Sequence, residues 1–273
     1  MYQDRLTLFL DILGFRNLIN SIGQDQQKIT DLYDLLTSLT SEMLGKEKAI
    51  TINESVIPQE ELDDVRKTAE LLSQRLSLLY PIEITHFSDS VVLSAQISNH
   101  VSCLNILDLT ARLYVRIWEK YGLLLRGGLS VGKLVHIENG PLFGPAMIKS
   151  YDIESKVAVY PRVAIDSQCY NFIKSLPTFE AMSFAINDPV NDSHYYIDLS
   201  SSFNFIVFKS LHSIHREIFQ KNLNLLLETP NKLQNIIDKA SEERIAEKYT
   251  WTKVNIEKLL NKNNLLKVKN NLG

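Results

Sequence analysis

The apolar positions near the start of the chain follow two different periods. Residues 5–10, RLTLFL, form a short and mostly apolar run that is typical of a buried strand, and a break follows at Gly14. From Phe15 to about residue 39, apolar residues recur every three or four positions, which predicts amphipathic helices. We therefore expect a strand that turns sharply into helical structure, with Asp11 at the end of the strand.

The following segments predict a hairpin between longer helices. Residues 46–59 are polar and indicate a surface loop. The apolar periods then predict a helix over 59–79 that Pro81 ends, strands over 82–87 and 91–95 joined by Ser-Asp-Ser, a helix over 99–121, and a strand over 123–135. Three glycines in that last strand indicate either a bulge or the close approach of another backbone.

The remaining pattern completes an α+β fold. It predicts a helix over 144–159, a strand over 162–165, a strand-like segment at 195–199, and mainly helical structure over 203–263 with a break at Pro230. The order strand, helices, strand, strand, helix, strand is that of a ferredoxin-like split βαββαβ antiparallel sheet with helices on one face. We expect this domain over residues 1–200, with a helical insertion, and a C-terminal helical extension over 201–273.

Composition and charge exclude several classes of protein. The 273 residues carry a net charge of −3, so no basic field indicates a nucleic-acid partner. The two cysteines, Cys103 and Cys169, are too few for a disulfide framework and lie among apolar residues, which favours buried free thiols. The sequence shows no signal-peptide pattern and no apolar run of membrane-spanning length, so we expect a cytoplasmic protein with no membrane span.

Two acids stand out against the apolar strands. Asp11 ends the first strand and Asp89 is at the hairpin tip, and in a split βαβ sheet these two strands are neighbours. Carboxylates that are brought close together repel each other unless a cation lies between them, and Mg²⁺ or Mn²⁺ with substrate phosphates is the usual solution. The alternative is structural: Asp11 would cap the following helix and Asp89 would be an ordinary turn residue.

Four strings that contain these residues resemble a known family. LTLFLDILGF, HFSDSVVLS, LLLRGGLSVGKLV and GPLFGPAMIKSYDIESKVAVYPRVAI are similar to the catalytic domain of class III nucleotidyl cyclases, and most of all to the pyrimidine cyclases of the Pycsar anti-phage system. The resemblance covers roughly residues 5–200. It implies conversion of UTP or CTP to the 3′,5′-cyclic monophosphate and pyrophosphate, with two Mn²⁺ or Mg²⁺ ions per active site. It also implies a homodimer with a composite active site, and a separate effector that reads the product.

The resemblance assigns roles to individual positions. Asp11 and Asp89 match the two metal-binding aspartates, Ile12 matches the residue whose backbone carbonyl also touches a metal, and Phe15 matches the turn that approaches the triphosphate.

Two further residues are candidates for contact with the nucleotide, and each has an alternative interpretation. Arg126, beside a glycine pair, is a candidate for a phosphate or dimer contact, and an ordinary ion pair is the alternative. Thr85 is a candidate for contact with the base, and a plain strand position is the alternative.

One departure from the family leaves a second interpretation open. Purine cyclases carry an Asn and an Arg, four residues apart, on the helix that here follows Gly144, and the matching positions hold Ile148 and Asp152. The absence of these donors fits the pyrimidine branch. It also permits a catalytically inactive, cyclase-like nucleotide sensor. Arg162 is interpreted as structural, paired with Glu154 or a neighbouring acid.

Overall fold

The chain folds around one mixed sheet. The computed structural model describes residues 1–37, 54, 57–79, 81–137, 140–189, 194–211 and 216–263. The strands are β1 (Gln3–Leu13), β2 (Glu83–Phe87), β3 (Ser90–Gln96), β4 (Leu124–His136), β5 (Leu142–Phe143), β6 (Arg162–Ile165) and β7 (Tyr195–Asp198). The helices are α1 (Phe15–Ile22), α2 (Gln26–Thr37), α3 (Leu62–Leu79), α4 (His100–Tyr121), α5 (Pro145–Asp152), α6 (Ser167–Lys174), α7 (Leu199–Leu211), α8 (Arg216–Lys239) and α9 (Glu243–Lys262). A π-helical turn, Ile153–Val157, continues α5.

The strand order confirms the predicted split βαβ arrangement. The sheet runs β2-β3-β1-β4-β6-β7, with β5 paired to the end of β4. β1 is antiparallel to both of its neighbours, whereas β4 and β6 are parallel. The hairpin β2–β3 therefore lies directly beside β1, as the order of segments in the sequence predicts.

Alternation along β1 separates a core face from a second face. Leu8, Leu10 and Ile12 are buried in the main apolar cluster together with α4. The intervening residues Phe9 and Asp11 point to the opposite side of the sheet. The side chain of Asn99 accepts a hydrogen bond from the Ser102 N–H and so caps the start of α4, and both cysteines are buried free thiols, as expected.

The glycines of β4 mark a close helix approach, not a bulge. Pairing between β1 and β4 is continuous from Gln3 with Leu134 to Leu13 with Leu124. Gly128 and Gly132 lie on the second face of the sheet, where α5 packs against them. The expectation of helices on one face is therefore wrong for α5, because the absence of side chains at these positions lets that helix approach the strand.

Contrary to the prediction, Pro230 does not break the C-terminal helical structure. It lies inside α8, which continues to Lys239. On either side of it, Leu226 and Leu233 are almost fully buried in the main cluster, and Trp118 Nε1 donates a hydrogen bond to the Thr229 hydroxyl at 2.9 Å. This packing outweighs the backbone hydrogen bond that a proline removes.

The C-terminal helices share the apolar core of the sheet. Phe203 of α7, Leu226 of α8 and Ile256 of α9 belong to the same buried cluster as the core face of β1. The division of the chain near residue 200 stays a prediction. No helix among the described residues has the length and apolar character needed to cross a membrane.

Candidate active site

Asp11 lies on the second face of the sheet, near the end of β1. Its cross-strand neighbours are Ser90 in β3 and Arg126 in β4. The Asp11 side chain is 19% exposed, and its carboxylate is 3.3 Å from the Arg126 guanidinium. Burial raises the pKa of Asp11 above its ordinary value, the positive charge of Arg126 acts against that change, and the charge of Asp89 adds to it. Asp11 is thus a half-buried acid that a cation stabilises in its charged form.

The hairpin tip brings Asp89 to the same rim of the sheet. Ser88, just before it, has a left-handed backbone with φ of 60°. This conformation turns the chain so that the Asp89 carbonyl oxygen accepts a hydrogen bond of 3.0 Å from the Ile12 N–H. The structure therefore brings together Asp11, Ile12, Asp89 and Arg126, as the sequence predicts, although the roles of these residues stay predictions.

Glu154 is a third acid at this rim, which the sequence did not reveal as a site residue. It lies in the π-helical turn after α5, its side chain is only 4% exposed, and it forms an ion pair with Arg126. Burial raises the pKa of Glu154, Arg126 opposes that shift, and the charge of Asp11 adds to it. Arg126 therefore bridges two acids that lie 143 positions apart in the sequence, from Asp11 to Glu154. The structure thus contains an ion pair of Arg126, which was the alternative interpretation of this residue.

A second cation reaches the cluster from the C-terminal helices. Lys248 of α9 is half-buried, and burial is the main cause that lowers its pKa. The charges of Arg126 and Arg244 lower the pKa of Lys248 further, whereas those of Asp11 and Glu154 act in the opposite direction. The candidate site thus combines carboxylates from β1, the hairpin and the π turn with cations from β4 and α9.

The donor set fits a hard divalent cation that is completed by substrate. Within the described parts of the chain, no three or more His, Cys, Asp or Glu residues are grouped so that they could hold a metal ion. Asp11 and Asp89 would therefore supply one or two carboxylates, and phosphate and water oxygens would fill the remaining positions, as is usual for Mg²⁺. The Asp11–Arg126 contact of 3.3 Å is long for a charge-assisted hydrogen bond, and Arg126 has Glu154 as a second partner. A cation can therefore take the place of Arg126 on Asp11 without leaving the arginine unpaired.

Phe15 has a structural side chain at the start of α1. Its ring is 7% exposed and packs in the main core. Gly14, which precedes it, has a left-handed φ of 83°, and no side chain caps the helix. Any contact between this turn and a phosphate would therefore come from the backbone N–H groups at the helix start.

Thr85 lies on the same face as Asp11, but two strands away, beyond β3. Its hydroxyl is 2.9 Å from His136 Nε2, and His136 Nδ1 is 2.8 Å from the Ser94 hydroxyl. Arg5 donates to that same Ser94 hydroxyl at 2.8 Å. The predicted base contact of Thr85 would have to coexist with this network or displace part of it.

We expect His136 to make the protein less stable in acid. Burial, and secondarily the charge of Arg5, lowers the pKa of His136 from 6.5 to about 4. Between these two values the unfolded chain binds the proton and the folded chain does not, so the free energy of unfolding falls as the pH falls. The loss from pH 8 to pH 5 is about 2 kcal/mol. Denaturant unfolding at several pH values measures it.

The variant His136→Gln tests this assignment. The amide can still donate and accept toward Thr85 and Ser94, but it does not titrate, so the acid-dependent loss should shrink. His100→Gln is the matched control, because His100 is exposed. Equal pH dependence of the two variants would contradict the assignment to His136.

The positions that match the missing purine-cyclase donors lie on the outer surface of α5. Ile148 is 65% exposed, and Asp152 forms an ion pair of 2.8 Å with Lys156. Arg162 is buried, its guanidinium lies 5.2 Å from the centre of the Tyr196 ring, and it donates to the Val157 carbonyl oxygen at 3.4 Å. Arg126 forms an ion pair with Glu154.

Comparisons with known proteins find adenylyl and guanylyl cyclases among the solved structures. No protein-family model and no curated protein matches the chain. The solved structure of the adenylyl cyclase CyaB from P. aeruginosa is 13% identical, with 72% of this chain and 94% of that chain covered and a TM-score of 0.35. The monomeric guanylyl cyclase domain of the RhoGC fusion protein from the aquatic fungus Blastocladiella emersonii is also 13% identical, with coverages of 72% and 95% and a TM-score of 0.35. A bacterial light-regulated adenylyl cyclase is 12% identical, with coverages of 75% and 97% and a TM-score of 0.33. Because these TM-scores are low, the assignment of the fold rests on the strand order described above. The assignment of the function rests on the side chains of the site.

Proposed function

We propose that the chain is a class III nucleotidyl cyclase that converts UTP or CTP to the 3′,5′-cyclic monophosphate and pyrophosphate. The observation that carries this proposal is the placement of Asp11 and Asp89 at one rim of the sheet, joined through the Ile12–Asp89 hydrogen bond of 3.0 Å. An acid near the end of β1 and an acid at the tip of the adjacent hairpin, with Arg126 and Lys248 nearby, form a compact site for a metal-bound triphosphate.

The metal would be held by the carboxylates of Asp11 and Asp89, with the backbone carbonyl of Ile12 as a further ligand. Two Mn²⁺ or Mg²⁺ ions bound there would lower the pKa of the ribose 3′-hydroxyl and neutralise the triphosphate. The chain itself positions the substrate. β1 is paired on both sides, so the orientation of Asp11 is fixed by the sheet, and the hairpin fixes Asp89 relative to it.

Arg126 and Lys248 would bind the phosphates. Arg126 is engaged by Asp11 and Glu154, and both contacts are ion pairs that a triphosphate can replace or extend. A guanidinium offers a planar fork of donors that matches phosphate oxygens. Glu154 would then orient Arg126, and the backbone N–H groups at the start of α1 would add neutral donors.

The same proposal includes the assembly and the biological role. A homodimer with a composite active site would bring a second copy of α5 and its exposed Ile148 toward the nucleotide. Ile148 and Asp152, in place of the purine-cyclase Asn and Arg, support a pyrimidine substrate. The cyclic product would act as a second messenger in anti-phage defence and would be read by a separate effector.

One observation favours a second candidate function, a nucleotide sensor without turnover. Arg126 is bound by two acids, and the surface of α5 carries Ile148 and Asp152 where the purine enzymes carry donors. A site with fewer donors for the transition state can still bind a metal and a triphosphate.

Incubation of the purified protein with each of the four ribonucleoside triphosphates and Mn²⁺ distinguishes the two functions. We expect the cyclic monophosphate and an equal amount of pyrophosphate from UTP or CTP, measured by chromatography and mass spectrometry. Binding of Mn²⁺ and a triphosphate with no product from any of the four would support the sensor instead. Product from ATP or GTP alone would contradict the pyrimidine assignment but not the cyclase.

A further inference from the structure

A cavity lies at the end of the π turn, and it is lined by Val157 of that turn. It has a volume of about 670 Å³ and is bounded by the end of that turn, the edge formed by β6 and β7, α7 and α9. This volume is within the range of small-molecule sites, roughly 300–1,000 Å³. The carboxylates of Asp11 and Asp89 are not among the residues that line it.

The wall of the cavity is cationic. Arg162, Lys258 and Lys262 line it, and among the described residues of the lining there is no Asp or Glu. Arg162 is only 6% exposed. The nearby acid Asp198 is buried behind the wall, where its carboxylate accepts hydrogen bonds from Ser200 at 2.8 Å and from Asn187 at 3.0 Å. Asp198 is the cross-strand neighbour of Arg162 and offsets its charge, so the exposed Lys258 and Lys262 supply the positive charge in the wall that favours an anionic ligand.

Aromatic rings form another part of the wall. Tyr160 and Trp251 are stacked, with ring centres 5.2 Å apart and an angle of 7° between their planes. Tyr196 lies 6.1 Å from Trp251 and packs under the Arg162 guanidinium. Rings at the wall of a cavity offer flat apolar surface on which a planar ligand can stack.

We propose that this cavity binds a small planar anion of nucleotide size, an aromatic ring that carries a phosphate, at a site separate from the Asp11–Asp89 rim. The stacked rings of Tyr160 and Trp251 would contact the ring of the ligand. Lys258 and Lys262 would contact its phosphate. This inference does not depend on turnover at the proposed catalytic site.

The two sites share structural elements. Val157 lines the cavity and ends the same π turn that carries Glu154 to Arg126. α9 places Lys248 near the acids of the rim and Trp251 in the wall of the cavity. A ligand in the cavity would therefore contact the elements that position Glu154 and Lys248, and π turns inside helices frequently occur at functional sites.

Titration with the four ribonucleoside 5′-monophosphates in the presence of EDTA tests the proposal, because chelation removes metal-dependent binding at the rim. Calorimetry gives the affinity. Tryptophan fluorescence shows whether the ligand is bound in this cavity, because Trp251 lines the cavity whereas Trp118 is fully buried. We expect at least one monophosphate to bind with a change in fluorescence and to bind more tightly than inorganic phosphate.

The double variant Lys258→Glu/Lys262→Glu should weaken this binding about tenfold or more, because two cations of the wall are reversed. Lys67→Glu/Lys239→Glu makes the same change in net charge at exposed positions away from the cavity and should bind as the unaltered protein does. Asp89→Asn should also leave the binding unchanged. The proposal is overturned if no monophosphate binds at millimolar concentration, if inorganic phosphate binds equally well, if the first double variant has no effect, or if Asp89→Asn abolishes the binding. A missing cyclase activity alone would leave it intact.

Discussion

Replacement of Asp89 by Asn is expected to reduce cyclic product from UTP or CTP to background, a loss of about a thousandfold or more. The amide has nearly the same shape as the carboxylate but lacks its charge, so it is a poor ligand for Mn²⁺ or Mg²⁺. The backbone contact from the Ile12 N–H to the Asp89 carbonyl does not involve the side chain. The fold should therefore be retained, and product formation and thermal unfolding are measured on the same preparation.

Asp4→Asn is the matched control for this experiment. Asp4 is on β1, near the end of the strand opposite to Asp11, and its exposed carboxylate forms an ion pair of 2.6 Å with Lys133. The same chemical change there should leave activity within about twofold of the unaltered protein, because exposed ion pairs contribute little. Asp11→Asn should behave like Asp89→Asn. Substantial turnover in the Asp89 variant would refute the two-aspartate site even if the protein proves to be a cyclase.

The order of the strands and the positions of the two aspartates could be predicted from the sequence. β1, the hairpin β2–β3 and β4 each produce a short apolar run with a clear break, and their order restricts the sheet to a small number of topologies. Once β1 and the hairpin are neighbours, an acid at the end of one and at the tip of the other must share a rim. Asp11 and Asp89 follow from local pattern and topology alone.

The cations and the third acid of the site could not be predicted in the same way. Glu154 lies in a segment whose apolar pattern is that of an ordinary amphipathic helix. Its burial depends on a π turn, and the pattern of apolar residues does not predict that turn. Lys248 is one of several lysines on α9, and its position depends on how that helix packs against α7 and α8. The sequence offers only a weak signal for Glu154, an acid beside the apolar Ile153 in the string SYDIESKVAV. Its partner Arg126 was a candidate only because of the adjacent glycines.

The two interpretations that failed share a physical cause. Pro230 was expected to break a helix because of a local rule, and helices were expected on one face of the sheet because of the order of the segments. In each case tertiary packing decides the outcome: Leu226 and Leu233 hold α8 together around the proline, and glycines in β4 admit α5 to the second face. The same glycines indicated a close backbone approach correctly, but the sequence did not say which element approaches.

Replacement of Gly128 by Ala is expected to destabilise the fold by about 3 kcal/mol. A methyl group at this position would overlap the Ser150 carbonyl oxygen of α5, and it would lie 2.8 Å from Ile153 Cβ and 2.9 Å from the Glu154 backbone nitrogen. Two of these neighbours are backbone atoms, so no side-chain rotation relieves the overlap, and α5 must move away from the sheet. Denaturant unfolding measures the loss.

Gly132→Ala is the matched control on the same strand and the same face. A methyl group there meets Ala146 Cβ at 3.4 Å, which is an ordinary contact, so stability should change by less than about 1 kcal/mol. An equal loss in the two variants would show that β4 needs glycine for its own backbone and not for α5. Because the displaced segment includes Glu154, Gly128→Ala should also lower cyclase activity in molecules that remain folded, whereas Gly132→Ala should not. The close approach at Gly128 thus links the packing of α5 to the position of Arg126 beside Asp11.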